Sequence, residues 1–274
     1  MSQIIKRICL HKCFLIFCFI TTGFVIVLEG CITRVEGCLD VAAANFDLSA
    51  DRSCEDCCTY PLLSVSLSQK WNDRNFSLTD TLFDTQGRPY RISDLKYVLS
   101  SWKWQDTDLH SYTVDSAEIA CTSGILSYTP DIIIVDAKQS QYTLGTIRQS
   151  PLTDSLSLKL GFVADLDCID AYAAGIPPVF SNQSAIWDSL SASRASIRLV
   201  LQRDTSMAVF DTLFIHTMKD ISLGLDLDFT PGFPETIRLS VNYALWFSNV
   251  DVQDLNSFPV SIENGIRGSF YKTP

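Results

Sequence analysis

Residues 237–247 read Ile-Arg-Leu-Ser-Val-Asn-Tyr-Ala-Leu-Trp-Phe. Ile237, Leu239, Val241, Tyr243, Leu245 and Phe247 fall at every second place. Successive side chains of a strand point to opposite faces, so this period marks a strand with one buried face. The same period recurs through the chain. Leu63, Val65 and Leu67 alternate with Ser, as do Ile197, Leu199 and Leu201 with Arg and Val. Leu156, Leu158, Leu160 and Phe162 form a third run, and Ile221, Leu223, Leu225, Leu227 and Phe229 a fourth. Asp131-Ile-Ile-Ile-Val-Asp136 reads as a strand buried on both faces. Turn signals separate the runs: Gln86-Gly87-Arg88-Pro89, Gly175-Ile176-Pro177-Pro178 and Thr230-Pro231-Gly232. Helical spacing is scarce, with a turn of helix at most over Ile92 to Leu99 and Leu166 to Ala174. Many short strands at this spacing give an all-β fold, an antiparallel β-sandwich.

The amino terminus has a different character. Lys6, Arg7, His11 and Lys12 precede an apolar run from Cys13 to Leu28, which ends in Glu29-Gly30-Cys31. A basic start, an apolar middle and a small residue before a cut are the parts of an export signal, expected over residues 1–30. The run is short for a membrane span, which needs about 20 apolar residues. Leu28 and Gly30 before Cys31 resemble the lipobox of bacterial lipoproteins, which implies acylation of Cys31 and a lipid anchor in the outer membrane, facing the periplasm or the cell surface. Cys9, Cys13 and Cys18 leave with the signal. Cys38, Cys54, Cys57, Cys58, Cys121 and Cys168 remain, an even number that in an exported chain suggests three disulfides. Adjacent Cys57 and Cys58 rarely bridge each other. The expected pairing is Cys38–Cys54, with Cys57 and Cys58 reaching Cys121 and Cys168. Residues 31–60 are thus read as a small disulfide-tied head, and 61–274 as one sandwich domain.

Lys6, Arg7, Lys12 and Glu29 lie in the signal, so the formal charge of −10 for the whole chain becomes −12 for the rest. An acidic chain lacks the clustered basic face that nucleic acid calls for. It also lacks the basis for peripheral binding to anionic lipid, which leaves the acyl chains as the attachment. Catalytic patterns are sparse. Only His110 and His216 follow the signal, and there is no Gly-x-Ser-x-Gly elbow, His-Glu-x-x-His or Walker loop. Asp165 with Asp167, or Asp226 with Asp228, are carboxylate pairs of the kind a glycosidase uses, although period-two Asp on a wet strand face is the plainer reading.

Phe214-Ile215-His216-Thr217-Met218 stands out. On a strand, His216 and Met218 share a face about 7 Å apart. Imidazole and thioether form a soft donor pair suited to copper, above all Cu(I). The competing reading is a core His beside a gap-filling Met.

Several pieces, in order, resemble the MbnP-like family, the methanobactin-partner proteins of Gram-negative bacteria. Ser93-Asp-Leu-Lys-Tyr-Val-Leu-Ser100 follows the Gly87-Arg88-Pro89-Tyr90 turn. Leu158-Lys-Leu-Gly-Phe-Val163, Ile186-Trp187 and Phe214-Ile215-His216 come after it. The resemblance spans residues 61 to about 250. It implies an exported all-β domain and, as in some members, copper held by a His and tryptophan-derived groups. His216 matches by position, and Trp187, His110, Met207 and Met218 are the further candidate donors. In the head, Gly37-Cys-Leu-Asp40, Ala44-Asn-Phe-Asp47 and Ala50-Asp51 before Cys54 resemble the acidic Cys-bounded repeats akin to thrombospondin type 3. That resemblance implies calcium on Asp40, Asn45, Asp47 and Asp51, an oxygen-rich set; an Asx-rich turn tied by one disulfide is the alternative.

The expectation is therefore a non-enzymatic, lipid-anchored binding module of the cell envelope, with copper as its ligand. A surface adhesion or assembly protein with an envelope partner is the alternative, one that would present Trp71, Trp102 or Trp104 in an exposed patch.

Overall fold

The period-two runs become the long strands of two facing sheets. The computed structural model describes residues 34–54, 56–104, 107–122, 124–129, 131–148, 153–206, 208–227 and 229–273. The segment expected to be an export signal (residues 1–30), Cys31 and Met207 lie outside them.

In chain order the strands are β1 (Glu36–Gly37), β2 (Arg52–Ser53), β3 (Leu62–Trp71), β4 (Arg74–Asn75), β5 (Leu82–Phe83), β6 (Pro89–Trp104), β7 (Thr107–Asp108), β8 (Ala117–Cys121), β9 (Gly124–Tyr128), β10 (Ile133–Asp136), β11 (Gln141–Thr146) and β12 (Thr153–Leu160). They continue as β13 (Trp187–Asp188), β14 (Ser193–Arg194), β15 (Ile197–Gln202), β16 (Asp211–Ile215), β17 (Lys219–Leu227) and β18 (Glu235–Asn242). Helices α1 (Tyr243–Trp246) and α2 (Ser257–Gly265) and a last strand, β19 (Phe270–Lys272), complete the chain.

Two compact units are distinguished. Among the described residues the first takes 34–39 and 47–57, and the second takes 40–46 and 58–273. In the first, β1 and β2 pair in parallel, and Cys54 is bonded to Cys57. In the second, the larger sheet runs β16-β15-β6-β12-β17, with β5, β7 and β10 also on β6. The smaller sheet runs β11-β3-β18-β19, with β4 on β3. Leu63, Val65, Leu67, Ile237, Leu239 and Val241 from the smaller sheet share one core with Leu95, Tyr97, Leu156, Leu158, Ile197 and Leu199 from the larger.

The sandwich is antiparallel with an exception. β18 pairs with β3 in parallel from Glu235↔Leu63 to Asn242↔Lys70. A parallel pair needs a crossover rather than a hairpin, and here the whole body of the domain supplies it.

Other expectations are corrected. Ile92–Leu99 is part of β6, not helix, and Leu166 lies in a 3-10 turn, Ala164–Cys168. Strand β10 buries one face: Ile133 and Val135 are inside while Ile134 is partly exposed. The alternation after Val241 also fails. Asn242 accepts the Ala244 N–H through its side chain, capping α1 and ending the strand. Helical spacing then turns Trp246 inward and leaves Leu245 39% exposed. Trp246 packs edge-on against Tyr97 at 5.1 Å and Tyr243 at 5.2 Å, and its indole N–H donates to Ser269 Oγ at 2.7 Å. Trp102 and Trp104 are buried, and half-buried Trp71 stacks on Phe76 and Phe247, so the three tryptophans form no exposed patch.

The disulfides differ from the expected pairing. Cys54–Cys57 replaces Cys38–Cys54, since a turn of three residues already brings their Cα atoms to 5.6 Å. Cys121 pairs with Cys168, Cα atoms 5.0 Å apart, where the end of β8 meets the 3-10 turn and Thr122 N–H donates to the Cys168 carbonyl. Cys38 and Cys58 are also disulfide-bonded, so all six described cysteines are oxidised.

Asp84 ties the β5–β6 turn to the segment at 250–252. It accepts N–H groups of Gln86, Arg88 and Val252 and the Arg88 guanidinium. Burial pushes its carboxyl up, but these donors outweigh burial and hold it down to about 2.

Two outcomes are expected. Replacing Cys121 and Cys168 together with Ala frees a loop of separation 47, and urea denaturation should show a loss of about 4 kcal/mol by the chain-entropy relation. A depressed carboxylate stabilises above its unfolded value and loses that contribution as pH falls through its folded value. Asp84→Asn should therefore be less stable than the parent at pH 7, and the gap should close as pH falls from the ordinary value of 3.8 to about 2.

Candidate functional site

His216 lies just past the end of β16, which stops at Ile215. Residues 216–218 are the connection to β17, so the alternation that would align His216 with Met218 does not extend to them. Met218 stands 50% exposed in that connection.

The connection is held from one side by Ser196. Its hydroxyl donates to the Thr217 carbonyl and accepts the Thr217 N–H at 3.2 Å, while the Ser196 N–H donates to the Ile215 carbonyl at 2.9 Å. Gly161 makes room for it. Its φ is +112°, and an added Cβ would run into the Thr217 carbonyl oxygen.

With its backbone fixed, the imidazole reaches the β13–β14 hairpin. Nδ1 lies 3.2 Å from the Arg194 carbonyl oxygen, and Nε2 lies 3.5 Å from Asp188 Oδ2. A carbonyl oxygen only accepts, so this contact places a hydrogen on Nδ1, and Nε2 faces the carboxylate. The ring is 43% exposed and the Asp188 side chain 11%.

Asp188 is built into its turn. Its Oδ1 accepts the Leu190 N–H at 3.0 Å and its Oδ2 the Ser191 hydroxyl at 2.6 Å. Burial raises its carboxyl, but the Ser191 and Leu190 donors, with His216, outweigh burial and lower it below the ordinary value. The site therefore offers an ionised carboxylate opposite an imidazole nitrogen at neutral pH.

The hairpin belongs to neither sheet, and Arg194 anchors it. Its guanidinium donates to the carbonyls of Phe180 at 3.0 Å and Ile169 at 2.6 Å, and lies 5.8 Å over the Phe180 ring. Burial lowers its pKa, against the pull of Asp167 and Asp170.

Of the further copper candidates, Trp187 does not meet His216, and Met207 and the His110 side chain lie outside what the structure describes. Trp187 precedes Asp188 on β13, so strand alternation turns it to the other face, where it meets exposed Tyr172 edge-on at 5.9 Å. His110 belongs to the 3-10 turn Leu109–Ser111 after β7. Asp188 is the partner that sequence reasoning missed. Its only local signal is Asp188-Ser-Leu-Ser191, an Asx-turn sequence.

The four calcium candidates spend their oxygens on the chain itself. Asp40 accepts from Ala42 N–H, Tyr60 hydroxyl and Arg148 guanidinium, and Asn45 from Thr59 N–H. Asp47 accepts twice from Ser49, and Asp51 from Val35 N–H at 3.4 Å. Among the described residues Asp40, Asp47 and Asp51 belong to no three-ligand cluster of acidic, His or Cys side chains. Asp40 and Asp47 form Asx turns, as in the alternative reading, while Asn45 and Asp51 hold more distant backbone.

No family model matches the chain, and no curated protein matches it. Among solved structures it is similar to MbnP from Methylosinus trichosporium, at 9% identity. The match covers 70% of this chain and 79% of that one, with a TM-score of 0.41. The likeness assigns no residue.

Proposed function

We propose that the chain is a non-enzymatic binding module of the cell envelope, lipid-anchored through Cys31, whose ligand is copper taken at His216 and Asp188. The observation that carries the metal is the pair of contacts on one ring. A metal-ligating His characteristically gives its other ring N–H to a carbonyl, as His216 Nδ1 does to Arg194. Its Nε2 then stands 3.5 Å from a carboxylate oxygen, close enough for both to serve one small ion.

This donor set differs from the soft pair read in the sequence. Imidazole with carboxylate suits Cu(II), and Met218 is not needed. Two protein ligands leave the other positions to solvent or to a partner's donor, which suits a protein that receives and hands on an ion. Disulfides at all six described cysteines fit an oxidising compartment outside the cytoplasm.

Isothermal titration of the disulfide-intact protein should show one Cu(II) bound more tightly than about micromolar, and Zn(II) more weakly, as the order of divalent affinities requires. His216→Ala should abolish this binding and Asp188→Asn should weaken it, while Met218→Leu should change it little. Undiminished binding by His216→Ala, or no binding at that strength by the parent, refutes the assignment. The anchor is checked separately. Mass spectrometry of the native amino terminus should find acylated Cys31, and an unlipidated start elsewhere in a competent host removes it.

A further inference from the structure

The first of the two units, described over 34–39 and 47–57, has its apolar side chains outward. Its aliphatic side chains larger than Ala are Val35, Leu39 and Leu48, and they are 43%, 42% and 87% exposed. Among the unit's described residues only Cys38 is buried. A single exposed leucine on a protein surface is ordinary. A unit that leaves every large aliphatic side chain in water is not, because burying them is what would stabilise it.

Local geometry explains how they are kept out. The Val35 carbonyl accepts the Asp51 N–H at 2.8 Å, and the Cys38 carbonyl accepts the Asp47 N–H at 2.8 Å, so residues 35–38 run beside 47–51. Leu39 and Leu48 follow directly on the two partners of the second bond, so they start from neighbouring backbone. The side chains of Asp47 and Ala50 fill the space at Gly37, where an added Cβ would lie 2.9 Å from each. Asp47 Oδ1 also accepts the Ser49 N–H at 2.8 Å and the Ser49 hydroxyl at 2.6 Å. This Asx turn sets Leu48 at its tip, a place where polar residues are the rule.

We propose that this unit rests on the membrane: Val35, Leu39 and Leu48 enter the surface of the same bilayer that holds the Cys31 acyl chains, and the lipid they meet is zwitterionic. The inference rests on the acylation of Cys31. Val35 is four residues beyond Cys31. Its Cα therefore lies within about 14 Å of the anchoring residue's, whatever path the chain takes. Apolar groups held at the surface of a bilayer bury about 5–10 Å into the boundary between headgroups and acyl chains. Anchor and patch then act as two linked contacts, the second forming at the high local concentration that the first creates. Charge selects the lipid. Residues 34–39 and 47–57 hold two Arg against five Asp and Glu. An anionic surface attracts basic segments and repels an acidic one, so headgroups without net charge suit this unit.

The acylated, disulfide-intact protein in phosphatidylcholine vesicles tests this. The parent should float with the vesicles, which reads the anchor alone. Leu48→Trp should float equally. Its added emission, over the background of the native tryptophans, should lie to the blue of tryptophan in water. Phosphatidylcholine brominated near the acyl carbonyls should quench it. Adding Val35→Asp and Leu39→Asp should shift the emission back to the red and relieve the quenching, with flotation unchanged. Including phosphatidylglycerol should not increase the quenching. If Leu48→Trp floats but its added emission is that of tryptophan in water, the anchor stands and the membrane contact is overturned. Quenching that survives both Asp substitutions overturns the shared patch, and stronger quenching with phosphatidylglycerol overturns the choice of lipid. A parent that does not float removes the anchor, and this proposal with it.

Discussion

The larger sheet depends on keeping one face of β6 apolar for 16 residues, the length of that strand. Five other strands pair with β6. Because side chains alternate with a period of two, a one-residue slip anywhere would turn its core set to the wrong side. The buried residues run Tyr90 and Ile92, then Leu95, Tyr97 and Leu99, then Trp102 and Trp104. Parity changes twice. Each change is a bulge: Ser93 is the extra residue opposite the Val200–Leu201 step, and Ser101–Trp102 opposes Leu158. The bulges let a strand that long bend with the sheet and still present its large side chains to the core. Their cost is local, falling on a left-handed Ser101 of φ +52° and on the Trp102 N–H, which Asp131 Oδ2 accepts at 3.1 Å.

The same parity changes explain what the sequence hid. Ile92, Leu95 and Leu99 lie three and four apart, the spacing of a helix face, only because a bulge inserts a residue between two strand periods. At Tyr243 and Phe247 the opposite coincidence occurs. Four residues are two strand repeats and also close to one helical turn, so both residues are buried whichever element forms. Leu245 and Trp246 alone distinguish the two, and the Asn242 cap decides for helix. The all-β class and the long strands β3, β12, β15, β17 and β18 were legible because their alternation is uninterrupted. Disulfide pairing was not, since Cys121 and Cys168 meet through the packing of the 3-10 turn and nothing local marks it.

At the candidate site, His216 was legible as one of two histidines beyond residue 30, and its partner was not. Asp188 and His216 are distant in sequence and meet across a hairpin that lies outside both sheets. Periodicity speaks for residues inside one element. It is silent on a side chain offered by a short turn, and it misplaced Met218 for the same reason: β16 ended one residue before the motif's His.

The His216–Asp188 contact depends on one stretch of chain. Arg194 holds the β13–β14 hairpin by the carbonyls of Ile169 and Phe180. Leu166, Ile169 and Phe180 form with Ile119 a small core separate from the main one, and Tyr128, Val163 and Cys168 pack on it. A cluster of that size stabilises little by itself. The Cys121–Cys168 bond closes it onto β8, and thereby onto the hairpin that carries Tyr128. The grip on Asp188 thus has one support, which few apolar contacts and one covalent link hold in place. In a chain whose core is otherwise built by two large sheets, this margin is where local opening costs least, and it is the region that the proposed ion would order.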